Sequence, residues 1–224
     1  TKSGVDMGLH SGVNDYFNKW QEVQSGTNNT WIEYTPPYVE VESTTGTSSA
    51  YYFTLKGAFD KINDGTHQGD ISIKIKHSTT EPATAVLNGS EGVANYSSIN
   101  IYPTETGLSI SGDLTAPLID LNGADNVTID GRVNATGTTK DLNIINTSTG
   151  SVTGTSAIRF INDASSNTVK YCTIKSSETR ATSGIIFFST TTETTGNDNN
   201  TIEFNDIINA VDANRPVNAI YSLG

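Results

Sequence analysis

Asp120, Asn122, Asp125 and Asp130 bring oxygen ligands into one short turn-rich stretch, the donors that a hard cation such as calcium takes. Their spacing matches neither the EF-hand loop nor the glycine-rich nonapeptide repeat, and turn-forming Asp and Asn explain the same residues without a metal. Polysaccharide chemistry would need other groups. A lyase needs a cation to neutralise a uronate carboxylate and a base such as Lys or Arg to take the neighbouring proton, whereas a hydrolase needs two carboxylates at a defined separation. Lys170 and Glu203 fall at equivalent outward positions of a repeat and read as a solvent-exposed ion pair, while Arg159 is matched by Ile186 and Tyr221. His10, His67 and His77 all precede the repeats, and the single Cys172, in the place of Asn205, reads as a small packed residue. Trp20, Trp31 and Tyr34 offer flat faces to a sugar ring, or else pack a terminal segment onto the first strands. No residue is therefore assigned a catalytic, cofactor-binding or metal-ligating role.

The elements that would position such groups are short words that recur. Asn167-Thr168-Val169-Lys170-Tyr171-Cys172-Thr173-Ile174 returns as Asn200-Thr201-Ile202-Glu203-Phe204-Asn205-Asp206-Ile207, and Asn126 to Gly131 is a shorter relative. A second word, Ser156 to Phe160, returns as Ser183 to Phe187 and Asn218 to Ser222. Self-similarity of this kind implies stacked units in which like lies on like, with Ile, Val and Phe inward. Asn126, Asn167 and Asn200 head their strands, either as a ladder of amides or as independent turn residues. Only 17% of the 224 residues are charged and 34% are hydrophobic, so Thr, Ser, Asn and Gly dominate the rest and favour an all-β fold. The net charge of -11 opposes nucleic acid as a partner, and no apolar run is long enough to span a bilayer.

Residues 1–50 lack the repeat and form a separate N-terminal segment, with Val39-Glu40-Val41-Glu42 alternating as a strand and Thr44 to Ser49 as a polar linker. Residues 51–224 form the repeating domain. It opens on a helix over about 54–64: Thr54 is its N-cap, Leu55, Ala58, Phe59 and Ile62 share one face, and Gly65 can stop it. Ile71-Ser72-Ile73-Lys74-Ile75 then alternates strictly, as a strand does. The last apolar word, Asn218 to Ser222, leaves the stack uncovered and suggests that it continues beyond Gly224.

The helix, Gly69-Asp70-Ile71-Ser72-Ile73 and the stretch from Leu118 to Gly131 together resemble the opening of right-handed parallel β-helices of the pectate-lyase-like superfamily. Ala58 to His67 and Asn214 to Ser222 are similar to modules of very large secreted or surface-anchored proteins of Bacteroidota-type bacteria. The resemblance implies an all-β right-handed parallel β-helix, a solenoid with an N-terminal capping α-helix, at the cell surface or outside the cell. It implies extracellular glycans or other surface proteins as partners. The Gly-His-Gly and Arg-x-Lys signatures of pectinases are absent. The expected function is a non-enzymatic stalk or adhesin-like module with glycan binding. The alternative is a polysaccharide lyase or glycoside hydrolase whose active residues lie partly beyond residue 224.

Overall fold

The computed structural model describes residues 20–25, 28–33, 37–150, 152–190 and 195–223. They fall into two compact units, Thr1–Pro37 and Tyr38–Gly224. In the first, β1 (Trp20–Ser25) and β2 (Asn28–Glu33) pair antiparallel.

The second unit begins with β3 (Val39–Gly46) and β4 (Ser49–Tyr52), a hairpin that takes in most of the expected polar linker. Backbone pairing decides here: β3 is bonded on one side to β4 and on the other to β5 (His67–Ile75), so its small polar end has partners. Between them lies α1 (Leu55–Asn63). Thr54 accepts the Gly57 amide at 3.0 Å, the Leu55 and Lys56 amides donate to the two carboxylate oxygens of Glu81, and Leu55, Ala58, Phe59 and Ile62 are buried. His67 is buried beside this end of the sheet: its Nε2 lies 2.7 Å from the Tyr52 hydroxyl and its Nδ1 2.7 Å from the Thr47 carbonyl.

The remaining strands are short. They are β6 (Thr79–Thr80), β7 (Ala85–Asn88), β8 (Tyr96–Pro103), β9 (Leu108–Gly112), β10 (Pro117–Asn122), β11 (Val127–Asp130) and β12 (Leu142–Asn146). After them come β13 (Ser156–Ile161), β14 (Thr168–Lys170), β15 (Cys172–Ser176), β16 (Ile186–Phe188), β17 (Thr201–Glu203), β18 (Asp206–Asn209) and β19 (Ile220–Ser222). One sheet has the order β17-β14-β11-β8-β5-β3-β4, a second β18-β15-β12-β9-β6 and a third β19-β16-β13-β10-β7. Like residues stand in register: Ile73, Ile101, Ile129, Val169 and Ile202 form one apolar row, and Ile110, Ile144, Ile174 and Ile207 another. All but Ile202 and Ile207 are buried, and each contributes roughly 1.5–3 kcal/mol.

The right-handed parallel β-helix with an N-terminal capping helix is corrected by this arrangement. The described chain is mostly β, built as three separate parallel-rich sheets and one α-helix, and the largest sheet is mixed because β3 and β4 join it antiparallel. The physical reason is that recurring words report which strands pair in parallel and in which register; they carry no information on how whole sheets close against one another. The helix lies chiefly against β7, where Asn63 donates to the Val86 carbonyl at 2.8 Å and accepts the Asn88 amide at 2.9 Å.

A second correction concerns register. Ser183 to Phe187 was aligned on Ser156 to Phe160, but Ile158 pairs with Ile186 and Arg159 with Phe187, one residue later. Ile185 and Ile186 are consecutive, so either could fill the inward place, and hydrophobicity alone leaves the phase open. Tyr221 does follow in the row of Arg159, through Phe187.

Candidate functional site

Two outward rows on the seven-stranded sheet follow from the inward one. Because Ile73, Ile101, Ile129 and Val169 point inward, their neighbours must point out. Ser72, Asn100, Thr128, Thr168 and Thr201 make the first outward row, in register. Lys74 beside Tyr102, then Asp130, Lys170 and Glu203, make the second.

A cavity of about 470 Å³ opens over these rows, lined by Ser72, Asn100, Tyr102, Thr128, Asp130, Arg132, Asn134, Ala135 and Lys170. One wall is the turn after β11. Gly131 lets the chain pass against Tyr171, and Arg132 then folds back on Asp130, with Nε 2.8 Å from Oδ1 and an NH2 2.6 Å from Oδ2. Asn134 and Ala135, at φ 50 and 55, complete the wall. The Arg132 guanidinium also lies over the Tyr171 ring, 4.5 Å from its centroid. Lys170 approaches Asp130 from the other side at 3.7 Å.

Burial pushes the Asp130 carboxyl up, but the hydrogen bonds and charge of Arg132, with Lys170 behind, hold it below the usual carboxylate range. It therefore stays ionised and acts as an acceptor. Stability from this interaction is present above the unfolded-state pKa and is lost as pH falls through the lower folded one. In Arg132→Ala the burial remains without its counterweight, so the Asp130 carboxyl, followed by ¹³C NMR titration, should titrate at higher pH than in the parent protein.

Asp130 is the one carboxylate among the lining residues, so the cavity does not bring together the two carboxylates of a hydrolase. Among the described residues, the side chains of Ser72, Asn100 and Thr128 make no hydrogen bond, and neither does the Tyr102 hydroxyl. Open hydroxyls and an amide beside an aromatic ring are suited to a hydroxyl-rich ligand.

The residues singled out in the sequence are dispersed. Lys170 and Glu203 are in register, but Lys170 turns to Asp130 instead of Glu203. Asp120 is held by Arg159 through two bonds of 2.9 and 2.7 Å in a different sheet from Asp130. Asn122 sits in an amide ladder from Asn88 to Asn162, and Asp125 accepts the Ser165 amide at 2.7 Å. The four candidate calcium ligands thus have four separate engagements. Asn167 and Asn200 bond backbone groups of the preceding unit, Val127 and Ala124 for one, Asn167 and Ala164 for the other, and they form no amide ladder with Asn126. Cys172 is buried, and burial pushes its thiol up, away from nucleophilic use. His77 stacks edge-on to Tyr38. His10 and Tyr34 lie outside the described residues, as do the side chains of Trp20 and Trp31.

The cavity residues went unrecognised in the sequence. A usable signal was present: Ser72, Asn100 and Thr128 each stand immediately before an inward Ile, and Asp130-Gly131-Arg132 places opposite charges across a turn. No protein-family model, curated protein or solved structure matches this chain.

Proposed function

We propose that this chain is a non-catalytic carbohydrate-binding module of a secreted or cell-surface protein, stalk-like or adhesive, with the glycan lying over the outer face of the seven-stranded sheet. The observation that carries this reading is the row of Ser72, Asn100 and Thr128 with no internal hydrogen-bond partners, beside Tyr102 in a cavity of about 470 Å³. Hydroxyls and an amide exchange bonds with sugar hydroxyls, and the ring covers an apolar sugar face. The extracellular setting is supported by the resemblance to large surface-anchored proteins. The net charge of -11 speaks against a polyanionic nucleic-acid partner.

Arg132 and Lys170 favour a second reading, because a uronate lyase needs cations at one place. Incubating the protein with uronate and neutral polysaccharides, with and without calcium, separates the two. The binding reading expects retention of glycan with no new unsaturated or reducing ends. Products that disappear in Lys170→Ala would establish the lyase.

A further inference from the structure

Tyr171 and Phe204 directly follow the outward residues Lys170 and Glu203, and both are held with positive φ, at 52 and 55. A bulky residue in the left-handed region is an outlier that glycine or asparagine would relieve, and the equivalent place one strand earlier is Gly131. The two rings stack on each other at 4.9 Å and 17°, and Arg132 of the cavity wall caps the Tyr171 end. The other end is bare: Phe204 is 60% exposed. Glu203, next to it, makes no hydrogen bond or ion pair among the described residues. An apolar ring face thus stands beside an open carboxylate acceptor, about one strand spacing (~4.8 Å) past Lys170.

We infer that Phe204 and Glu203 form an outer subsite for a neutral sugar ring, which stacks on Phe204 while a hydroxyl donates to Glu203, so that the ligand is an extended oligosaccharide crossing the strands. The inference rests on the glycan-binding reading of the cavity. It goes further in fixing the direction of the ligand and its lack of charge at this end, since Glu203 repels a uronate.

The test is calorimetric titration with neutral gluco-, xylo- and manno-oligosaccharides, as disaccharides and hexasaccharides, and with galacturonate oligomers. Phe204→Asn, which suits the left-handed backbone, should bind the hexasaccharide roughly tenfold more weakly than the parent. Its disaccharide binding and melting temperature should be unchanged, whereas a merely structural stack would lower the melting temperature. Tyr102→Ala should weaken both lengths. Equal hexasaccharide binding by Phe204→Asn and the parent, or a preference of the parent for galacturonate, would overturn the subsite and leave the cavity reading standing. Failure of the parent to bind any of these probes would overturn both.

Discussion

Asn146→Ala is expected to cost about 3–5 kcal/mol, a large part of the roughly 5–15 kcal/mol that stabilises a domain. The side chain is fully buried. Its Nδ2 donates to the carbonyls of Leu114, Ala116 and Ser156 at 3.0, 2.9 and 2.9 Å, and its Oδ1 accepts the amides of Leu114 and Ser148. Alanine strands these backbone groups away from water, and each buried unpaired group costs about 1–3 kcal/mol, partly recovered if a water enters the space. Asn143, on the same strand, is the control: it is half-buried and makes one long bond of 3.4 Å to Leu108. Asn143→Ala should change stability by less than about 0.5 kcal/mol. Urea denaturation of both variants checks this, with the midpoint moving and the slope constant.

Gly131→Ala should cost about 3 kcal/mol and weaken glycan binding together. An added Cβ would lie 2.0 Å from the Tyr171 carbonyl oxygen and 2.9 Å from the Cys172 Cα, and these are backbone atoms that cannot rotate away. The turn between β14 and β15 must therefore move, carrying Tyr171 from beneath Arg132. Gly137 separates this clash from backbone preference. Its φ is +84 and nothing lies within 4 Å of an added Cβ, so Gly137→Ala should cost only about 1 kcal/mol and spare binding. Thermal melts and calorimetry on the two variants provide the comparison.

The contrast between Asn143 and Asn146 also marks what can be read from letters alone. The inward rows were legible because Ile71, Ile73 and Ile75, or Ile99 and Ile101, alternate with polar residues at the strand period. The helix was legible to its caps, because Thr54 and the spacing of Leu55, Ala58, Phe59 and Ile62 act locally. Asn146 differs from Asn143 only in which way it faces and in the distant carbonyls it meets, which no local pattern encodes. Consecutive Ile185 and Ile186 lost the register for the same reason. Closure of the three sheets was misread because repetition constrains neighbours within a sheet and nothing more. Arg132 was overlooked because its pairing with Asp130 needs the turn at Gly131, a close approach visible only once Tyr171 is placed above it.

Native electrophoresis through gels containing dissolved neutral polysaccharides, run with the parent protein and Tyr102→Ala side by side, bears most directly on the glycan-binding face. The parent should be retarded by at least one polysaccharide and Tyr102→Ala should run as in an empty gel. Equal retardation of the two, or none of the parent, would contradict a binding site at this cavity.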